Sequence, residues 1–144
     1  MGKQLYVVGV DGSDWGKRAF EKATSLASQT GADVTVVYAL EYNSGNPLAT
    51  KGIIPEGLDK EAEENKILEE VINPMLESAP SDVQVDSKVL WGNPVDKIHD
   101  LVKSEHANML FVGRRGRSRF ANLILGSVAN KLAHHSGVPV VLVP

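Results

Sequence analysis

Leu5-Tyr6-Val7-Val8-Gly9-Val10-Asp11-Gly12-Ser13 decides the fold. Its first six residues form a short apolar run of strand length, and Asp11-Gly12-Ser13 is a turn signal. Beyond the turn the period changes. Ala19, Phe20, Ala23, Leu26 and Ala27 recur at helical spacing, and Gly31 stands where a left-handed cap closes a helix. Val34-Thr35-Val36-Val37-Tyr38-Ala39 follows as a second strand, β-branched and apolar enough to be buried on both faces. A strand, a helix and a strand in succession make a βαβ unit.

The alternation continues along the chain. Glu41 to Gly57 contains Gly, Pro and Asn without a period, and a loop of that length reads as a functional lid or a disordered segment. A long helix follows, with Ala62, Ile67, Leu68, Val71, Ile72, Met75 and Leu76 as its core stripe. Pro74 inside that stripe should kink or restart it. Val83 to Leu90 alternates apolar and polar, as an edge strand does. Asn93-Pro94 reads as N-cap and first helical residue of a helix through His106, with Val95, Ile98, Leu101 and Val102 inward. Met109-Leu110-Phe111-Val112 is a fourth strand leading into Gly113. A last helix spans about Leu125 to His135, is ended by Gly137, and precedes a fifth strand from Val138 to Val143. Strict alternation of five strands with four helices implies an α/β chain: a doubly wound, Rossmann-like domain whose parallel sheet is flanked by helices, one domain over residues 1–144.

Composition narrows the function. With 144 residues, 42% of them hydrophobic, the chain can bury a core without staples, and it has no cysteine. Disulfides, cysteine metal sites and thiol catalysis are thereby excluded. A net charge of −3 and a pI near 5.8 argue against nucleic acid as an electrostatic partner. Apolar runs such as Val138 to Val143 are far shorter than a membrane span. Met1-Gly2-Lys3-Gln4-Leu5 lacks a signal-peptide core, and Tyr6 stands where myristoylation wants Ser or Thr. The expectation is a cytoplasmic protein without membrane attachment.

Two post-strand turns carry the chemical interest, because open α/β sheets bind ligands at the carboxyl ends of their strands. Asp11-Gly12-Ser13-Asp14 places a carboxylate where a ribose or nucleobase amine can donate to it. Gly113-Arg114-Arg115-Gly116-Arg117-Ser118-Arg119 holds four of the five arginines of an acidic chain. Glycines there allow close backbone approach to a phosphate. Gly126-Ser127-Val128 then opens a helix whose N-terminus offers unpaired N–H groups to an anion. A solvated basic loop would explain the arginines alone; the glycines and helix start together favour anion binding.

Other signals are weak. Gly16-Lys17-Arg18 is no Walker A loop, and no G-x-G-x-x-G follows the first strand. The first turn lacks the second glycine and closing Asp-Ser of pyrophosphate-releasing ligases. His99 and His106 stand seven apart and His134-His135 point to different faces, so no metal pattern emerges. Ser13 and Ser127 lie outside a G-x-S-x-G elbow, which leaves no catalytic constellation. The glutamates from Glu61 to Glu70 read as a solvated helix face, and Trp15 and Trp91 as packing residues. The apolar fifth strand, if it is an edge, needs cover, which a two-fold partner can supply.

Gly113-x2-Gly116-x9-Gly126-Ser127, with the first turn and the closing Val138-Pro139-Val140-Val141, resembles the nucleotide-binding signature of the universal stress protein family. The resemblance extends over essentially the whole chain. It implies an ATP site, with Mg²⁺, in a homodimer joined through Val138 to Val143. Val10 and Asp11, with Gly12 and Ser13 in the same turn, resemble the adenine- and ribose-contacting residues, and Ala39 and Leu40 the adenine-side wall. Gly113, Arg114, Arg115, Gly116, Arg117, Gly126, Ser127 and Val128 resemble the ribose and phosphate contacts. Regulation by bound ATP, with at most slow hydrolysis, is the implied function. The alternatives are an interaction module of the same fold without a nucleotide, and a slow ATPase or phosphotransferase.

Overall fold

The computed structural model describes residues 2–41, 59–116 and 126–144. Five strands, β1 (Leu5–Val10), β2 (Asp33–Leu40), β3 (Val85–Trp91), β4 (Met109–Gly113) and β5 (Val140–Val143), form one parallel sheet in the order β3-β2-β1-β4-β5. The chain winds outward from β1 to β3, crosses back to β4, and winds outward again to β5. The order therefore reverses between β1 and β4.

Helix α1 (Asp14–Thr30) ends where Gly31 takes φ 79° and returns its N–H to the Ala27 carbonyl. It buries Ala19, Phe20, Ala23 and Ala27 on one face of the sheet, in a core shared with Tyr6, Val8, Val36, Ile72 and Phe111. Tyr6 and Phe111 stack obliquely, with ring centroids 5.4 Å apart. Full burial of each such aromatic contributes roughly 1.5–3 kcal/mol. On the opposite face, α4 (Pro94–Ser104) and α5 (Ser127–His135) bury Ile98, Leu101, Val102, Ala129 and Leu132 against Val7, Val37, Leu110 and Val112. Both faces of β1, β2 and β4 are covered, as their continuous apolarity requires.

The long acidic helix is continuous but not uniform. It comprises α2 (Lys60–Ile67), a π turn (Leu68–Ile72) and α3 (Asn73–Ser78). Pro74 stands in the first turn of α3, so the α-helical segment restarts at the proline as expected. The wider turn, in which the Asn73 N–H reaches the Leu68 carbonyl, makes room just ahead of the proline ring. Ile72 and Met75 still reach the core.

Two strand boundaries differ from expectation. β3 starts at Val85 because the Val83 N–H is used in a turn onto the Pro80 carbonyl, and it runs on to Trp91, which pairs with Leu40. β5 starts at Val140, not Val138. Ser136 both accepts from the Val138 N–H and donates to the Val138 carbonyl, and Pro139 has no N–H to give the ladder. The Pro139 carbonyl still accepts from the Leu110 N–H at 2.9 Å. β3 and β5 are the two sheet edges. The expected loop from 42 to 57, the arginines Arg117 and Arg119, and the Leu125 helix start lie outside the described residues.

Candidate functional site

At the reversal point, the carboxyl ends of β1, β2 and β4 surround a cavity of about 510 Å³. This is the crevice in which doubly wound sheets hold their ligands, and its size suits a small organic molecule.

The exit of β1 builds one wall. Asp11 Oδ1 accepts from the Ser13 backbone N–H at 3.0 Å and from the Ser13 hydroxyl. The Ser13 oxygen in turn caps α1 by accepting from the Gly16 N–H at 3.3 Å. The turn is thus locked by its own side chains, with Gly12 at φ 85°. A Cβ at Gly16 would lie 3.3 Å from the Val10 Cα, so the glycine lets α1 start close against the strand end.

The exit of β4 builds the opposite wall from glycines. At Gly113 a Cβ would lie 2.6 Å from the Trp15 Cβ and 2.9 Å from the Arg115 carbonyl oxygen. At Gly116 it would collide with Asp11 Oδ2. At Gly126 it would meet the Arg115 Cα at 3.3 Å, and the Arg114 oxygen and Gly116 nitrogen at 3.5 Å. The Gly126 N–H donates to the Arg114 carbonyl at 2.8 Å, which brings the start of α5 back onto the strand exit. Among the described residues no side chain caps α5. Its first-turn residues Ser127, Val128 and Ala129 line the cavity, with the positive end of the helix dipole.

β2 and α4 close the remaining sides. Ala39, Leu40 and Glu41 come from the strand end, and the Tyr38 hydroxyl donates to the Asp11 carbonyl at 3.4 Å. Pro94 and Ile98 come from α4. Ile98 packs onto Gly9, where a Cβ would lie 2.8 Å from its Cδ1. Two carboxylates, Asp11 and Glu41, and one guanidinium, Arg115, are the charged groups among the described lining residues.

Val10, Asp11, Ala39, Leu40, Gly113, Arg115, Gly116, Gly126, Ser127 and Val128, all named from sequence, line this one cavity. Gly12, Ser13 and Arg114 stand behind the wall. Gly12 faces Val71, Ser13 caps α1, and Arg114 is exposed but holds β5 through its N–H to the Val143 carbonyl at 2.7 Å. Arg117 lies outside the described residues. Sequence reasoning missed the other lining residues, among them Tyr38, Glu41, Pro94 and Ile98. Glu41 directly follows the strand named as a wall, a signal that was there to use. Pro94 and Ile98 required knowing that α4 crosses back over β1. Trp15 and Trp91 are half-buried and lie off the cavity wall. Trp91 donates through Nε1 to Glu64 Oε1 at 2.7 Å. Among the described residues no three His, Asp or Glu side chains converge as a metal site.

Residues 6–144 match the model of the universal stress protein family. The chain belongs to that family. Universal stress protein Rv1636 from Mycobacterium tuberculosis is 30% identical over 139 residues, spanning 95% of this chain and 93% of the relative. Among solved structures, a universal stress protein in complex with cAMP is 29% identical, with a TM-score of 0.68 over 99% of this chain and 98% of its own. The universal stress protein UspA from Lactobacillus plantarum has the same fold, with a TM-score of 0.75 at 20% identity and full coverage of both chains. Among the described residues of this universal stress protein, no helix is long and apolar enough to cross a membrane.

Proposed function

We propose that this universal stress protein binds an adenine nucleotide, ATP in particular, at the β1–β4 crevice and acts as a nucleotide-responsive regulatory homodimer in the cytoplasm. One observation carries the reading. Gly113, Gly116 and Gly126 bring the β4 exit and the uncapped start of α5 into backbone contact on a cavity facing Asp11. Backbone N–H groups and a helix dipole at one end suit phosphate. The Ala39–Leu40 edge suits a flat apolar base, and the Asp11 carboxylate suits ribose hydroxyls. The related structure with cAMP supports an adenine ligand.

Mg²⁺ would come with the nucleotide. It keeps several waters and binds through one or two carboxylates together with phosphate oxygens. Asp11, whose Oδ2 lies beside Gly116, and the Ser127 hydroxyl fit that requirement, and the ion would offset phosphate charge there. Asp11 accepts two bonds from Ser13 and so serves the turn rather than a water nucleophile; any hydrolysis is expected to be slow. β5 is an edge strand whose Val140, Val141 and Leu142 are half-buried, and a two-fold partner along it would complete their cover. Residues 1–144 act as one domain in this reading.

Gly126→Val tests the site. Its branched side chain would enter the space held by Arg115 and Gly116, so ATP affinity should collapse while cooperative unfolding persists. Full affinity in that variant would refute the phosphate assignment. Sedimentation equilibrium should report two 15.5 kDa chains per particle, and a monomer would remove the dimer.

A further inference from the structure

Trp15 is the second residue of α1, half-buried, and not part of the cavity wall. Two guanidinium groups attend its ring. Arg18 Cζ lies 5.4 Å from the ring centroid and Arg115 Cζ 5.9 Å from it, both within cation–π range. The two cations are not equivalent. Arg18 is tied at its far end, donating through Nε to the Pro144 carbonyl at 2.9 Å. Arg115 lines the cavity and is therefore the one a ligand reaches. Trp15 is seated against the β4 exit at its backbone, because the space a Cβ would take at Gly113 is held by the Trp15 Cβ and backbone carbon.

We propose that Trp15 is a positioning residue for Arg115, and that through this pair the pocket distinguishes phosphorylated nucleotides from nucleosides. The proposal rests on the nucleotide reading of the crevice. Arg115 is the cation that the described lining residues set against the carboxylates of Asp11 and Glu41, so where that guanidinium stands contributes to the attraction of a phosphate. A free arginine side chain loses rotamer entropy when a ligand fixes it. Stacked beside Trp15 at the mouth of the site, Arg115 has surrendered part of that freedom beforehand.

Calorimetric titration with AMP and with adenosine separates this from a packing role. Trp15→Leu, which keeps an apolar side chain and removes the aromatic face, should weaken AMP about two- to fivefold and leave adenosine unchanged within error. Trp15→Phe should restore most of the loss. In an Arg115→Ala background, Trp15→Leu should have no further effect on AMP. Equal losses for both ligands, or an undiminished effect without Arg115, would overturn the proposal. No binding of either ligand to the unmodified protein would overturn the nucleotide reading and this proposal with it. Trp91→Phe leaves Trp15 as the single indole and gives a check that does not depend on the folding of Trp15 variants. AMP should then change its emission and adenosine should not; an emission indifferent to saturating AMP contradicts the pairing.

Discussion

The two helices that begin at the reversal point of the sheet start in opposite ways. α1 is closed by its own chain: Ser13 caps it, and Asp11 holds Ser13 in place. α5 begins at Gly126 with no side-chain cap among the described residues, although both helix starts border the same cavity. The other described helices that begin after a loop follow α1, with Asp59 capping α2 and Asn93 capping α4. A capped start is a finished piece of structure. An open start facing a cavity keeps its N–H groups for something that arrives from solution. In the proposed reading, the difference separates, within one crevice, the wall that shapes the site from the wall that would recognise charge.

Giving α5 a cap of its own should have the largest effect. Gly126→Asp puts a carboxylate where a phosphate would sit, and ATP affinity should fall about 100-fold, roughly 3 kcal/mol, as measured by calorimetry. Unchanged affinity would mean that the open helix start is not the phosphate seat. Asp11→Ala removes the shaping wall's carboxylate and frees Ser13. Affinity for adenosine should drop about tenfold because the missing partner lies on the ribose side, and Mg·ATP should lose at least as much because the same carboxylate would face the ion. Preservation of adenosine affinity would move Asp11 away from the ribose.

Ser13→Ala strips the cap of α1 and should cost about 1 kcal/mol of stability, a fall in Tm of about 2–4 °C by calorimetric scan. The nucleotide should bind less tightly as the Asp11 turn loosens. Asn93→Ala is the smallest perturbation of the site. It should lower Tm by a similar amount, since Asn93 accepts from the Asp96 N–H in the same manner, and shift ATP affinity by less than about twofold. Equal effects of the two cap removals on binding would erase the distinction between a cap that shapes the site and one that only holds a helix.

Much of this architecture was legible in the sequence because period and punctuation agreed. The apolar runs of β1, β2 and β4 are long enough to name, Gly31 and Asn93-Pro94 mark helix ends, and strict alternation leaves a parallel sheet as the natural arrangement. Strand order was not legible. It is set by which face each crossover covers, and without it Pro94 and Ile98 had no reason to join a site made at β1 and β4. Local hydrogen bonding also overrode hydropathy. Val138 looks like strand but is claimed by Ser136, and the π turn that precedes the restart at Pro74 has no mark in the apolar stripe. The glycine spacing was readable, and Gly113, Gly116 and Gly126 do line one cavity. That Gly113 seats Trp15, and that Trp15 then sits beside Arg115, is a three-dimensional fact with no local signature.

Thermal unfolding of the purified chain, stripped of co-purified nucleotide, with millimolar Mg·ATP, AMP or GTP, tests the central claim most directly. A ligand at 100 times its Kd adds about 2.7 kcal/mol to stability, several degrees for a domain of this size. An increase in Tm with the adenine nucleotides and not with GTP is the predicted result. Coincident curves with and without Mg·ATP would contradict it, and would leave the open start of α5 without a ligand.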